Sequence, residues 1–352
     1  RIAEAEKVED VSLVEPASVP VSPLGQNKSV NYVMGAALGL MLGLSGIFLL
    51  EQLDTSIGTI EDVESYVNLP ILGVIPFSPM PEKKKTLFPF YPRKKNKLAL
   101  AKYRLILYPF IQSPVIEAYH ILDTNICSSF EEKTPAKIIV VSSTAPSEGK
   151  SIVSANLAIT MAQRGKRVLL VDADLRKPMV YRLFGLKKEP GLSDILSGSH
   201  KLNGILRGFP DLFLSLKGEE QRSWKTAGLN NLQFITPGYL PNNPVALFSS
   251  ERMPALMEEM RKNFDVVIFD SPPVLPVSDV SIFGPKADEV VLVYQIGKIS
   301  RLALQRTKKQ LESVGAKLKG VVLNCLDPQA ELHRSYYYYH YCYYSKGENK
   351  DV

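Results

Sequence analysis

Two patterns of apolar residues divide the chain. The first is one unbroken run, VNYVMGAALGLMLGLSGIFLL, with no charged side chain over residues 30–50. A helix of that length, at about 1.5 Å per residue, covers the ~30 Å hydrocarbon core of a bilayer. Gly35, Gly39, Gly43 and Gly46 fall close to one helical face, where small residues let another helix approach. The run predicts one transmembrane helix. A long Pro-containing segment precedes it and no basic stretch opens it, which separates it from a signal peptide.

The second pattern begins at Lys137. Short, continuously apolar runs alternate with longer helix-like segments, as in a parallel sheet covered on both faces. KIIVVSS (137–143) reads as a buried strand, followed by the loop TAPSEGKS (144–151) and the helix-like IVSANLAITMAQRG (152–165). A second strand lies within KRVLLVDADLRKP (166–178) and a third within FDVVIFDSPP (264–273). DEVVLVYQ (288–295) and GVVLNCL (320–326) add two more, with a helix at 300–314 between them. The fold class is therefore α/β: a P-loop NTPase-type parallel sheet flanked by helices, preceded by a transmembrane helix and followed by a disordered Tyr-rich tail.

Strand, loop ending in Gly-Lys-Ser, then helix is the setting of a phosphate-binding loop. Loop N–H groups and the helix N-terminus point at phosphate oxygens. Ser147, Glu148, Gly149, Lys150, Ser151 and Ile152 are the candidate nucleotide-binding residues, with Lys150 reaching the β- and γ-phosphates and Ser151 a cation. The loop departs from the standard pattern at its start, with Thr144 where glycine is usual. Asp172 and Asp174 are alternate residues at the end of the second strand, so both carboxylates can enter one site. Asp270 ends the third strand. Ligands in open α/β sheets sit at strand C-termini, which gathers Lys150, Ser151, Asp172, Asp174 and Asp270 at one edge. Arg176 follows, able either to neutralise a γ-phosphate or to pair with an aspartate.

Composition narrows the partners. The net charge is +6, yet nine basic residues and no acidic ones lie between Lys83 and Arg104, so the remainder is near −3 (6 − 9). That excludes a globally basic nucleic-acid binder. The basic stretch carries Phe88, Phe90, Tyr91 and Tyr103 and lies among prolines. It reads either as a patch resting on an anionic leaflet, at roughly 1 kcal/mol per cation, or as a solvated linker. Three cysteines without a CxxC pair exclude a disulfide framework and fit a reducing compartment. The first residue is Arg1 rather than methionine, which reads as a fragment or processed product. The chain ends in RSYYYYHYCYYSKGENKDV, with tyrosines at 336, 337, 338, 339, 341, 343 and 344. No helix or strand period buries all of them on one face, so most face water.

With these residues in view, the chain resembles the bacterial tyrosine autokinases, the cytoplasmic halves of polysaccharide co-polymerases. The resemblance runs along nearly the whole chain. EPASVPVSPLGQNK is similar to the Pro-rich segment before that family's second transmembrane helix, and SSTAPSEGKS to its relaxed Walker A. LLVDADLRKP and VVIFDSPP resemble its further Walker motifs, and GLSDILSG and PGYLPNNPVALFSS its segments near the site. Partitioning and septum-positioning ATPases share the sheet, but typically carry a lysine early in the loop, where this chain reads Thr144-Ala145-Pro146.

The resemblance implies an ATP-dependent, Mg2+-requiring protein-tyrosine kinase in which Lys150 binds phosphates. Ser151, Asp174 and Asp270 would hold the metal, and Asp172 would take the phenolic proton. Tyr336, Tyr337, Tyr338, Tyr339, Tyr341, Tyr343 and Tyr344 would be phosphoacceptors, modified in trans within a homo-oligomer. It further implies control of exopolysaccharide or capsule export, a cognate tyrosine phosphatase and a bacterial inner-membrane location with the kinase domain cytoplasmic. The implied organisation is an extracytoplasmic segment (1–29), the span (30–50), a basic Pro-rich linker (51–110), the kinase domain (111–332) and the tail (333–352). One departure stands out: where the family's ring-assembly stretch carries two arginines, EAYHILDTNI has His120 and Asp123 after Glu117. An aspartate there sets like charge beside a neighbouring glutamate. This keeps open the alternative of an ATP-binding structural co-polymerase without phosphotransfer.

Overall fold

The computed structural model describes residues 28–53, 67–77, 104–107, 113–128, 136–208, 210–212 and 229–326. Residues 1–27, almost all of the basic stretch, His333, and the tyrosine cluster with His340 and Cys342 lie outside them. The chain divides into two compact units, one ending at Asp54 and the other beginning at Thr55.

The first unit contains α1 (Lys28–Leu53). Its stretch Lys28–Leu49 is long and apolar enough to cross a membrane. Val33, Leu40, Met41 and Phe48 are all openly exposed. Apolar residues exposed all round a helix suit a lipid surround, not a protein core.

The second unit is built on a seven-stranded parallel sheet: β1 (Ile71–Pro76), β2 (Lys137–Ser143), β3 (Val168–Asp172), β4 (Leu232–Ile235), β5 (Val266–Asp270), β6 (Glu289–Gln295) and β7 (Leu318–Leu326). The spatial order is β1-β7-β6-β2-β5-β3-β4. The five strands read from the sequence are present. β1 and β4, the two edges, were not foreseen. β1 lies in the stretch read as a linker, pairing with β7 through Ile71 to Val321 and Ile75 to Asn324. Its sequence, ILGVIP, is broken by glycine and closed by proline, which an edge strand tolerates and a central strand does not.

The central strands are buried on both faces and split their side chains by alternation. Ile138 and Val140 join one core cluster, Ile139 and Val141 the other. The first cluster lies under α4 (Arg252–Asn263) and α5 (Arg301–Ser313), through Leu256, Met257, Met260, Leu304 and Leu311. The second lies under α2 (Ser113–Cys127) and α3 (Lys150–Gln163). α3 is buried over nearly its whole length because α2 covers its outer side, with Tyr119, Leu122 and Ile126 fully enclosed. Asn156 of α3 also clasps residues 104–107, accepting from Ile106 N (3.0 Å) and donating to Arg104 O (3.0 Å). This brings Leu105 and Leu107 into the core.

Asp123 sits under α2 rather than on its outer face. It is fully buried and ion-paired with Arg164 of its own chain at 2.6 Å. Cys127 Sγ donates to its other oxygen at 3.0 Å. The Asp123 carboxylate therefore has a charged partner within its own chain.

Candidate active site

The loop between β2 and α3 turns sharply, with Ser147 (φ 66) and Gly149 (φ 93) both left-handed. Glycine is required at 149. A Cβ there would stand 2.0 Å from Asn324 Nδ2, besides occupying a backbone region that L side chains avoid. After this turn α3 begins at Lys150, whose ammonium lies 2.9 Å from Asp174 Oδ2. Burial pulls the Lys150 pKa down, but the charges of Asp270 and Asp174 outweigh it and the net shift is upward. Lys150 is a cation held ready at the loop.

The carboxylates come from adjacent strands. β3 and β5 are in register, so Asp172 and Asp270 are direct partners. Both are completely enclosed. Burial raises the pKa of each; the Asp270 charge lifts Asp172 further, while Lys150 and Ser151 restrain Asp270. Asp270 Oδ1 accepts from Ser154 Oγ at 3.1 Å, and Asp172 Oδ2 from Tyr181 N at 3.3 Å. Asp172 Oδ1 and Asp270 Oδ2 have no hydrogen-bond partner among the described residues. The open Asp270 Oδ2 fits a hard divalent cation such as Mg2+, which takes oxygen ligands, while the open Asp172 Oδ1 on its register partner is a free proton acceptor. Asp174 is more fully engaged, since its Oδ1 also accepts from Lys177 N (2.9 Å) and Arg176 N (3.3 Å).

Arg176 is held by a two-pronged pair to Asp279, at 2.9 and 2.8 Å. Of the two readings open for it, pairing with an aspartate is the arrangement observed. Ser147 and Gly149 lie in the loop, and Ser151 and Ile152 lie in the first turn of α3. The Glu148 side chain points inward instead: Oε2 accepts from Ala145 N at 2.6 Å and Oε1 from Gln295 N at 3.2 Å. Ser154, Asp279, Gln295 and Asn324 were not singled out in the sequence. Ser154 had a local signal, one helical turn after Lys150; the others have partners more than a hundred residues away.

A parallel sheet whose central strand runs into a phosphate loop, with carboxylates on neighbouring strand ends, defines a P-loop nucleotide-binding protein. Residues 139–341 match the CobQ/CobB/MinD/ParA nucleotide binding domain, and the chain belongs to that family. Its relatives carry a narrower name. It is 30% identical over 328 residues to EpsB of Ralstonia nicotianae, covering 93% of this chain and 40% of that protein. It is 29% identical over 341 residues to the tyrosine-protein kinase Etk of Escherichia coli, covering 95% of this chain and 44% of Etk. The solved kinase domain of Etk superposes with a TM-score of 0.61 at 28% identity, covering 80% of this chain and 99% of that one. The chain thus spans less than half the length of these curated relatives.

Proposed function

We propose that the chain is an ATP-dependent protein-tyrosine autokinase that phosphorylates the cluster 336–344 on neighbouring copies of itself. The supporting observation is the convergence of Lys150, the in-register pair Asp172 and Asp270, and Asp174 at the end of the phosphate loop. It occurs in a chain related along most of its length to a tyrosine-protein kinase. The α1 helix anchors the protein in the bacterial plasma membrane, leaving the sheet unit in the cytoplasm, where ATP is.

In this reading Lys150 exchanges Asp174 for the β- and γ-phosphates of ATP. Ser151, Asp174 and Asp270 would hold Mg2+, which when bound would neutralise charge on the transferred phosphoryl group. The tyrosine oxygen forms a bond to the γ-phosphorus as the bond to the bridging oxygen breaks and ADP departs. The phenolic proton passes to Asp172 Oδ1, an open acceptor whose raised pKa makes it a stronger base than an ordinary carboxylate. Arg176, fixed by Asp279, shapes the segment that follows Asp174.

Each phosphate adds roughly −1.5 to −2 charge, so successive modifications repel neighbouring copies and loosen the assembly. That cycle would regulate polysaccharide polymerisation and export, with a phosphatase resetting it. The proposed organisation keeps 1–29 outside the membrane and 333–352 as the substrate tail. The test is anti-phosphotyrosine detection on the full chain with Mg-ATP, beside Lys150→Ala and Asp270→Asn. Signal in the unaltered chain and none in either variant supports the kinase. An unmodified chain that still binds ATP would establish the structural co-polymerase instead.

A further inference from the structure

The phosphate loop is fastened from behind. Glu148 lies in the middle of it, yet its side chain is fully buried. One carboxylate oxygen takes the N–H of Ala145 at the loop's entry, and the other takes the N–H of Gln295 at the end of β6. The carbonyl of the same residue accepts from Asn324 Nδ2 of β7 at 2.7 Å. Gln295 and Asn324 are themselves register partners on β6 and β7. A single loop residue is therefore tied by side chain and main chain to one pair of strand ends, between the two left-handed residues Ser147 and Gly149.

We propose that Glu148 and Asn324 are positioning residues for the phosphate-binding loop, holding its N–H groups in the curvature that a nucleotide diphosphate requires. This rests on the nucleotide-binding reading above and deepens it. Loop N–H groups bind phosphate only if they converge, and left-handed residues hold that curvature only where the surroundings enforce it. The ties at Ala145, Gln295 and Asn324 provide the enforcement on the side away from the ligand. The ionised carboxylate is the form that accepts both N–H groups; a protonated one turns one oxygen into a donor. Burial pushes the Glu148 pKa up to about 7, against the restraint of its backbone hydrogen bonds and of Lys298. Lys298 is the charged group facing it among the described residues, from the loop after β6, and it donates to Ser147 O. β6 and β7 face it with the neutral Gln295 and Asn324. The brace therefore slackens as pH falls through neutrality.

The experiment is Mg-ADP binding by calorimetry to the full chain in detergent, for the unaltered protein, E148Q and N324A, at pH 8 and pH 6. E148Q keeps the shape but fixes the neutral state. With one charge-assisted hydrogen bond taken as tenfold in affinity, the unaltered protein should bind about ninefold tighter than E148Q at pH 8 and about twofold tighter at pH 6. N324A should weaken binding at both pH values while keeping the pH dependence, and it carries the test if E148Q does not fold. Equal affinities for all three proteins, or a ratio to E148Q that does not change with pH, would overturn the proposal while leaving nucleotide binding intact. No Mg-ADP binding by the unaltered protein would overturn the nucleotide reading and this inference with it.

Discussion

Asp172 and Asp270 stand side by side at the ends of β3 and β5, each with one carboxylate oxygen unpartnered among the described residues. Two enclosed anions at one sheet edge repel one another and are poorly solvated, so the site is unfavourable until a cation or a proton enters it. Asp172→Asn removes one of these charges. We expect the variant without nucleotide to melt a few °C higher while phosphotyrosine formation falls by at least ~100-fold, read by calorimetry and immunoblot on one preparation. A lower melting temperature would show that the Asp172 charge stabilises the fold.

Glu148 makes stability depend on pH in a stated direction. Its folded pKa, about 7, lies above the ordinary 4.5, so the folded state holds the proton more tightly. The stability this contributes is complete below pH 4.5 and is lost as pH rises through 7, an effect on the order of 3 kcal/mol. Asp172 and Asp270, also raised, act in the same direction. Without nucleotide, the protein should melt at a higher temperature at pH 5.5 than at pH 7.5. E148Q should shrink that difference, as measured by thermal scans in paired buffers.

Arg164 neutralises a carboxylate that has no access to water. Asp123 is fully enclosed while the Arg164 side chain is about half exposed (48%). Arg164→Ala leaves Asp123 with the Cys127 thiol and should cost about 2 kcal/mol, below the range for fully buried pairs because the arginine is partly solvated. Adding Asp123→Asn should restore most of the loss. Urea unfolding of the single and double variants checks this. Undiminished stability in Arg164→Ala would show the pair to be incidental.

Gly149 tests the loop from the other side. Gly149→Ala strains a left-handed residue and drives a methyl group into Asn324. Mg-ADP affinity should fall by about 30-fold or more, with the sheet intact by circular dichroism.

What was legible in the sequence follows from how locally each feature is encoded. β2, β5 and β6 each carry an unbroken run of at least four buried apolar residues because helices cover both faces, and each announces itself within a few residues. Lys150, Asp172, Asp174 and Asp270 could be placed together because ligands collect at strand ends whatever the loops do. β1 and β4 escaped notice because ILGVIP and LQFI are short edge strands with weak alternation. The inward turn of Asp123 was also hidden, since its partner lies forty-one residues away on another element. The same holds for the ties from Glu148 to Gln295 and from Asn324 to Glu148, 147 and 176 residues apart.

The most direct test of the kinase reading separates enzyme from substrate. Lys150→Ala in the full chain leaves the tyrosines but removes the phosphate-binding lysine; a chain ending at residue 332 keeps the lysine but has no tail. The two are mixed with Mg-ATP in detergent and phosphotyrosine is mapped by mass spectrometry. The account predicts phosphate on residues 336–344 of the Lys150→Ala chain, and none when either protein is incubated alone. Unmodified tyrosines in the mixture, with the shortened chain shown to bind Mg-ATP, would contradict it.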